Sequence, residues 1–361
     1  MTVIVEFQVH RDNVRETRTQ RHACAALDND QLLVRIDQFA LTSNNVSYAV
    51  AGDMIGYWQY YPAPAPWGIV PAWGSGTVIA SAHPEIPEGE RLWGFFPMAS
   101  HTVLTAGRVR QDQLTDVAEH RQPLPALYNN FRRTAAEPAF LQAMESQRSL
   151  LFPLFSTAYV LFDYLQDNAW FGATQIVIGS ASSKTAYGLA WLLRQSTAAP
   201  PVVGLTSPGN VAFTSALGCY DSVLTYGTEA QLNPLPSVWV DMSGNTGVTA
   251  AVHESLDSRL QASVSVGLTH WDAPARKGPL PGPRPEFFFA PAQIGKREKE
   301  WGPGVIMERA TQASADIATA TAEHTVIEHR HGTEALRDAW LELLDNRAPA
   351  QRGLLLSLAE P

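Results

Sequence analysis

The chain has 361 residues, of which 45% are hydrophobic and 17% are charged, and its formal net charge is −9. This composition is typical of a globular protein large enough for two domains. The acidic balance, without a basic run, argues against nucleic acid and anionic membranes as partners. The first residues lack the pattern of a signal peptide, and no apolar run approaches the ~18 residues of a membrane span, so we expect a cytoplasmic protein.

The first third of the chain predicts short strands separated by turn residues, at 32–36, 76–80, 91–96 and 101–104. Such a pattern indicates a partly closed antiparallel sheet. The segment 56–75 is rich in proline, glycine and aromatic residues, which excludes regular structure there. Its aromatic side chains should pack in the core or face a ligand.

From about residue 150, predicted strands alternate with predicted helices. The strands are at 175–178, 202–205, 223–226, 238–242 and 262–266, and the helices are at 156–167, 185–194, 212–217 and 247–256. This alternation favours a parallel sheet covered on both faces. Residues 272–304 predict a long surface excursion because proline, glycine and basic residues dominate there. The tail predicts a strand at 325–329, a helix at 334–344 and a strand at 354–358, too few for a sheet of its own, so we expect it to rejoin the N-terminal domain.

Several short segments follow one another in an order that resembles a known superfamily. They are an early strand and turn at 32–52, W-G-S-G-T-V at 73–78, E-G-E-R-L-W-G at 88–94, T-A-Y at 157–159 and V-L-T-Y at 223–226. Taken together, they resemble the medium-chain dehydrogenase/reductase superfamily, especially its zinc-free quinone and enoyl reductase branch. Within that branch the chain is most similar to an uncharacterised subgroup that carries a domain of unknown function.

The resemblance implies an α/β fold with two parts. One is a Rossmann doubly wound parallel sheet, and the other is a GroES-like, partly open β-barrel catalytic domain. The catalytic domain would be split between 1–130 and 296–361, with the nucleotide-binding domain at 131–295. Because dimers are common in the superfamily, a homodimer is one possible assembly.

The turn at 176–185 reads I-V-I-G-S-A-S-S-K-T, a buried strand followed by hydroxyl residues and a helix. Dinucleotide turns use three glycines, but here only the first has a match, in Gly179. Three interpretations remain open. The hydroxyls and a lysine hold the pyrophosphate at the helix N-terminus; the serines fill that space and cap the helix without nucleotide; or the turn is a P-loop, which needs a second glycine. The candidate cofactor residues are Gly179, Ser180, Ser182, Ser183, Lys184 and Thr185.

The strand at 202–205 is followed by Thr206 and Ser207, without the carboxylate that contacts the ribose in NAD sites. Hydroxyl groups suit a 2′-phosphate better, so the sequence favours NADP (NADPH) over NAD. Tyr226 lines the adenine side by family likeness. An ordinary polar loop is the alternative for these residues.

Zinc is not expected, because the cysteine and histidine ligands and the G-H-E segment of zinc-dependent relatives have no match here. Without zinc, this branch polarises a carbonyl or enone with hydroxyl and amide donors. Asn44, Asn45 and Tyr48 fall where quinone reductases carry such donors, and the register of the asparagine is ambiguous. Tyr48 could donate a proton or only a hydrogen bond. His270 could relay a proton, although a structural histidine is the alternative.

Aromatic residues are candidates for substrate binding, namely Tyr57, Tyr60, Tyr61, Tyr128 and Trp271. Lys296 and Arg297 could bind a carboxylate or phosphate, or could form a solvated face with internal ion pairs.

The sequence therefore predicts a zinc-independent, NADPH-dependent reductase of a small enone, quinone or carbonyl substrate. One alternative keeps the fold without redox chemistry, as a lyase, isomerase or hydrolase. A second alternative is a cofactor-free binding protein.

Overall fold

A computed structural model describes residues 2–267 and 279–360. The chain divides into two compact units, 1–150 with 326–361, and 151–325. The first unit therefore contains both ends of the chain. Its limits differ from the expected 1–130 and 296–361, because the helices that follow residue 289 belong to the second unit up to residue 325.

The strands and helices that begin in the first 150 residues are short. In chain order they are β1 (Val3–His10), β2 (Asn13–Ala23), β3 (Gln31–Leu41), α1 (Ser43–Val50), α2 (Gly52–Ile55), β4 (Trp67–Gly68), β5 (Pro71–Ser81), β6 (Arg91–Pro97), β7 (His101–Gly107), β8 (Gln113–Asp116), β9 (Asn130–Arg133), α3 (Ala139–Ala143) and α4 (Glu145–Asp167).

The second unit alternates strands and helices, and the tail adds three elements to the first unit. In chain order they are β10 (Gln175–Gly179), α5 (Lys184–Gln195), β11 (Val202–Thr206), α6 (Val211–Ala216), β12 (Ser222–Thr225), β13 (Ser237–Asp241), α7 (Thr246–Leu256), β14 (Leu260–Ser265), β15 (Glu286–Phe287), α8 (Ala290–Trp301), α9 (Val305–Ala320), β16 (Val326–His331), α10 (Thr333–Leu344) and β17 (Arg352–Ser357).

A ring of antiparallel strands forms the centre of the first unit. The strands pair in the order β3-β5-β6-β9-β8-β7, and β7 pairs again with β3, which closes the ring. Alternation along β7, where Thr102, Leu104 and Ala106 are buried, directs every second side chain inward. The barrel-like sheet predicted for this part of the chain is therefore confirmed.

The tail joins this barrel directly. β17 pairs antiparallel with β3, with Leu354 opposite Leu41, and β16 extends the sheet on the other side of β17. The indole N–H of Trp340 on α10 donates to the carbonyl of Val14 at 2.8 Å. The prediction that the tail returns to the N-terminal part of the fold is confirmed by these contacts.

The second unit contains a parallel sheet with the strand order β12-β11-β10-β13-β14-β15. Its central strands β10, β11 and β13 are buried along their whole length, as the continuous apolar runs predicted. α5 packs its apolar side inward, with Ala186, Leu189 and Ala190 fully buried. The doubly wound α/β fold expected here is confirmed.

One helix was predicted too short. α4 begins at Glu145 rather than at 156, and it contains Pro153. The spacing of Tyr159, Phe162 and Leu165 indicated a helix only from residue 156 onward. The hydroxyl of Thr157 donates to the carbonyl of Pro153 at 2.9 Å.

Across residues 2–267 and 279–360, no helix combines the length and the apolar character needed to cross a membrane.

Candidate functional site

The strand order of the second unit reverses between β10 and β13. From β10 the chain adds β11 and β12 on one side, and it then adds β13, β14 and β15 on the other side. In such parallel sheets, ligands bind outside the carboxyl ends of the strands at the point of reversal. The residues that follow Gly179 and Asp241 therefore border the candidate site.

The turn after β10 bends at Gly179 and Ser180. A Cβ atom on Gly179 would lie 2.5 Å from the ring of Trp239, so this position has no room for a side chain. Ser180 adopts a left-handed backbone with φ of 51°, which is uncommon for residues other than glycine. Its N–H donates to the hydroxyl of Tyr226 at 2.9 Å. Packing against Trp239 therefore explains why the first residue of the turn is glycine.

Two further N–H groups of this turn have partners within the second unit. The N–H of Ala181 donates to the carbonyl of Leu205 at 3.0 Å, and the N–H of Ser183 donates to the carbonyl of Ser180 at 2.8 Å. In this conformation the turn itself offers few donors, so an anion would have to be held by the start of the helix.

The hydroxyl groups of the turn differ in their hydrogen-bond partners. The Ser182 oxygen accepts a hydrogen bond from the amide of Asn210 at 3.0 Å. The Ser183 oxygen is buried and has no hydrogen-bond partner among the described residues. Lys184 and Thr185 are half-buried in the first turn of α5.

The opening turn of α5 fits a phosphate group. Its N-cap residue, Ser183, makes no side-chain capping bond within the described part of the chain, and the first N–H groups of a helix attract anions. A buried hydroxyl without a partner costs about 1–3 kcal/mol. A phosphate oxygen that accepted a hydrogen bond from Ser183 would remove this cost.

The carboxyl end of β11 is polar and uncharged. Thr206 is 1% exposed, and its carbonyl accepts a hydrogen bond from the N–H of Tyr226 at 2.9 Å. Ser207 precedes the short helical turn Pro208–Asn210, and residues 206–210 contain no carboxylate. Burial raises the pKa of Tyr226 to about 12, so its phenol is neutral at pH 7. The loop that follows β11 therefore brings no negative charge of its own toward a phosphate.

The sequence analysis missed the polar network at the end of β13. The carboxylate of Asp241 is 5% exposed and accepts hydrogen bonds from the N–H and hydroxyl of Ser243, the N–H of Gly244 and the hydroxyl of Thr249. The signal in the sequence was D-M-S-G-N after an apolar strand, because a short acidic side chain before serine and glycine is typical of a turn.

In the first unit, the structure separates the roles of the two neighbouring asparagines. The Asn45 side chain is buried; its oxygen accepts from the N–H of Thr42 at 2.8 Å, and its amide donates to the carbonyl of Pro71 at 3.0 Å. It thereby completes a capping box at the start of α1. The amide of Asn44 donates to the hydroxyl of Tyr48 at 3.2 Å. Asn44 is therefore the asparagine placed to act with Tyr48.

Tyr48 belongs to an aromatic cluster of the first unit, which we call the aromatic wall. Its ring stacks on Tyr57 with the ring centres 4.2 Å apart, and the hydroxyls of Tyr57 and Tyr128 are 3.3 Å apart. The half-buried members are Tyr48, Tyr57, Trp73 and Tyr128, and the buried members are Tyr60, Tyr61 and Phe95. The buried members support the wall from behind, so Tyr60 and Tyr61 do not face solvent as a substrate residue would.

The aromatic wall carries no charge at neutral pH. Burial, more than any other cause, raises the pKa of Tyr48, Tyr57 and Tyr128 above the ordinary tyrosine value. Hydrogen bonds from Asn44 and Trp73 oppose this rise at Tyr48 without cancelling it. The wall is therefore apolar with neutral hydroxyl groups. Trp73 belongs to the aromatic segment 56–75 but was not among the candidate substrate residues.

Lys296 and Arg297 are paired with carboxylates of the second unit. The Nε atom of Arg297 lies 2.7 Å from Asp163, its Nη2 atom lies 3.0 Å from Asp167, and Lys296 also contacts Asp167. Buried Gln293 donates to Asp163 at 2.6 Å. These contacts fix α8 on the part of α4 that belongs to the second unit. They match the interpretation as internal ion pairs.

His270 and Trp271 lie outside the described residues. Among those that are described, no group of three or more histidine, cysteine, aspartate or glutamate side chains is arranged to hold a metal ion.

The fold resembles several solved structures. CurA from Vibrio vulnificus, solved with NADPH, has a TM-score of 0.63 at 13% sequence identity over 100% of both chains. The yhdH oxidoreductase from Salmonella enterica, solved with NADP, has a TM-score of 0.52 at 14% identity over 99% of both chains. The quinone oxidoreductase from Coxiella burnetii has a TM-score of 0.51 at 12% identity over 99% of this chain and 100% of that chain. At these identities the likeness concerns the fold.

No curated protein matches the chain in sequence. A family model described as "Protein of unknown function (DUF2855)" matches residues 39–349. The chain therefore belongs to the DUF2855 family, and it shares the fold of CurA and of the yhdH oxidoreductase.

Proposed function

We propose that this protein is a zinc-independent, NADPH-dependent reductase of a small enone, quinone or carbonyl compound. The observation that carries the proposal is the start of α5 at the strand-order reversal, where the buried Ser183 hydroxyl has no partner among the described residues. The solved structures with NADPH and NADP that share this fold support it. NADPH, when bound, supplies the hydride.

The second unit would hold the nucleotide. Ser183, Lys184 and Thr185 would bind the pyrophosphate at the start of α5, by a hydroxyl, a positive charge and helix N–H groups. Ser207 would contact the 2′-phosphate, and buried Thr206 would hold this loop in place. Four residues would shape these surfaces without holding the phosphates: Gly179, Ser180, Ser182 and Tyr226, the last of which would line the adenine side with its ring.

The first unit would bind the substrate. Tyr48 accepts a hydrogen bond from Asn44, so its own hydroxyl hydrogen can be donated to a substrate oxygen. Because its pKa is raised by burial, Tyr48 stabilises negative charge on that oxygen as a hydrogen-bond donor and keeps its proton. Asn44 orients the phenol, and Asn45 holds α1 in place.

The half-buried part of the aromatic wall would contact the rest of the substrate. Tyr57, Trp73 and Tyr128 present aromatic faces and edges without charge, which suits a neutral, planar compound. The paired state of Lys296 and Arg297 favours a structural role for both, so we leave them out of the proposed substrate site.

A second candidate function is a cofactor-free binding protein with the same fold. It is favoured by the hydrogen bonds that the turn makes internally, from Ser180 to Tyr226 and from Ala181 to Leu205. These bonds would satisfy the turn without a nucleotide. Activity without a nucleotide would instead indicate a lyase, isomerase or hydrolase.

The two candidates are separated by one variant, Ser183→Ala, measured twice. If Ser183 binds phosphate, its loss should weaken NADPH binding by about tenfold in calorimetry. In the absence of nucleotide, the same change should leave the melting temperature equal or higher, because it removes an unpaired buried hydroxyl. Ser182→Ala is the contrast, since it breaks the bond to Asn210 and should lower the melting temperature. Wild-type protein that binds neither NADPH nor NADH would overturn the proposed function.

A further inference from the structure

The second half of the parallel sheet carries a buried carboxylate at the candidate nucleotide site. Asp241 ends β13, which pairs in register with β10 up to Val240 opposite Ile178. Neighbouring strands are about 4.8 Å apart. The backbone of Asp241 is therefore next to the turn that begins at Gly179, on the other side of the strand-order reversal.

The two halves of such a sheet hold the two halves of a dinucleotide. The pyrophosphate turn and the ribose position after the second strand belong to the half formed by β10, β11 and β12. The half formed by β13 and β14 therefore takes the nicotinamide. Asp241 and the residues that follow it lie at the carboxyl end of this second half.

The side chain of Asp241 is held in one position. Its Oδ1 atom accepts from the N–H of Ser243 at 2.7 Å, from the hydroxyl of Ser243 at 2.6 Å and from the N–H of Gly244 at 3.0 Å. Its Oδ2 atom accepts from the hydroxyl of Thr249 at 2.9 Å, and that hydroxyl also accepts from the indole of Trp239 at 3.3 Å. Every one of these contacts uses the carboxylate as an acceptor, as its ionised form requires.

Among the described residues, no cation lies in contact with this negative charge. In residues 2–267 and 279–360, Asp241 forms no ion pair with a lysine, arginine or histidine. Tyr226, which interacts electrostatically with Asp241, is neutral because burial raises its pKa to about 12. Burying a charge without a counter-ion costs free energy. The low dielectric of the surroundings also strengthens the electrostatic effect of this charge on nearby groups.

The oxidised nicotinamide ring carries a positive charge that the reduced ring lacks. We infer that the fixed charge of Asp241 makes the site prefer NADP⁺ over NADPH and thereby makes bound NADPH a stronger hydride donor. This inference rests on the proposed function, since it needs a nucleotide at the carboxyl ends of β10 and β13. In this role Asp241 supplies a fixed negative charge near the nicotinamide and does not contact the substrate.

The test compares the dissociation constants of NADP⁺ and NADPH, measured by calorimetry for the wild type and for Asp241→Asn. The new amide can be accommodated, because the Thr249 hydroxyl can rotate and accept from it. Loss of the charge should raise the ratio of the NADP⁺ constant to the NADPH constant by about three- to tenfold. Thr249→Val is the control: it removes one hydrogen bond to the carboxylate and the acceptor of the Trp239 indole but keeps the charge of Asp241, so the ratio should stay within about twofold.

Equal weakening of both nucleotides in Asp241→Asn would overturn the inference and leave the proposed function intact, because the residue would then be purely structural. A ratio that shifts as much in Thr249→Val would overturn it in the same way. If the wild type binds neither nucleotide, the proposed function fails and this inference fails with it. Should Asp241→Asn not fold, Asp241→Ser removes the same charge with a smaller side chain and is measured in its place.

Discussion

The phenolic oxygen of Tyr226 lies 2.9 Å from the backbone nitrogen of Ser180 and accepts its hydrogen bond. This contact joins the loop after β12 to the turn after β10. A residue placed on the adenine side by family likeness therefore also stabilises the turn.

Removing this hydroxyl should affect stability more than nucleotide binding. Tyr226→Phe leaves the Ser180 N–H unpaired, and we expect the free energy of unfolding to fall by about 1–3 kcal/mol in urea titrations. NADPH affinity should change by less than about threefold, because the ring remains and the pyrophosphate is held by α5. Tyr164→Phe is the control, since the Tyr164 hydroxyl has no hydrogen-bond partner in the described residues. A loss of NADPH affinity beyond tenfold would show that the Tyr226 hydroxyl contacts the nucleotide.

The charge of Lys184 should contribute to NADPH binding. Lys184→Ala is expected to weaken NADPH binding by about tenfold at low salt and to reduce the salt dependence of the dissociation constant. Lys299→Ala, which removes an exposed lysine from α8, should change neither quantity. Unchanged affinity in Lys184→Ala would exclude a phosphate contact by this residue.

The neighbouring asparagines Asn44 and Asn45 should give opposite results when each is replaced by alanine. Asn45→Ala removes the capping box and leaves the Pro71 carbonyl without its donor, so unfolding should become easier by about 1–3 kcal/mol. Asn44→Ala should change stability by less than about 0.5 kcal/mol and should lower kcat for a quinone substrate about tenfold, because the Tyr48 phenol loses its orientation. Thermal melts and steady-state kinetics on both variants check this. The reverse pattern would show that Asn45, and not Asn44, acts with Tyr48.

The pH dependence of the reaction should show no contribution from Tyr48 in the ordinary range. Burial raises its pKa above the usual value of 10.0, so the neutral, donating form is retained at every lower pH. The log of kcat plotted against pH should therefore be free of a tyrosine limb up to about pH 10. Tyr48→Phe should lower kcat about 100-fold without altering the NADPH dissociation constant. A limb near neutral pH that disappears in Tyr48→Phe would mean that this residue transfers its proton.

The fold could be predicted largely from the sequence because its signals are local. The apolar runs at 175–178, 202–205 and 238–242 became buried parallel strands, and the apolar stripe after Thr185 became the inner side of α5. Three predictions were wrong. The first turns of α4 were not predicted, regular structure was excluded from 56–75 although β4 and the start of β5 lie there, and the expected excursion at 272–304 contains α8.

The details of the candidate site depended on contacts between residues far apart in the sequence. Position 179 has to be glycine because the Trp239 ring occupies the space of a side chain there. Arg297 is paired with Asp163 and Asp167. No periodicity or motif reports such pairs. The role of Asn45 could have been predicted from the local sequence, because Thr42 lies three residues before it in a pattern that is similar to a capping box.

One strand of the ring in the first unit, β3, also pairs with a strand that is made last. β3 pairs with β7 along its first half and with β17 at its end, on the side opposite β5. During synthesis, residues 39–41 therefore lack their pairing partners until residues 354–356 have been made. The parallel sheet of the second unit can already form before that point. The exposed edge of β3 is then a place where a nascent chain can pair wrongly or attract a chaperone.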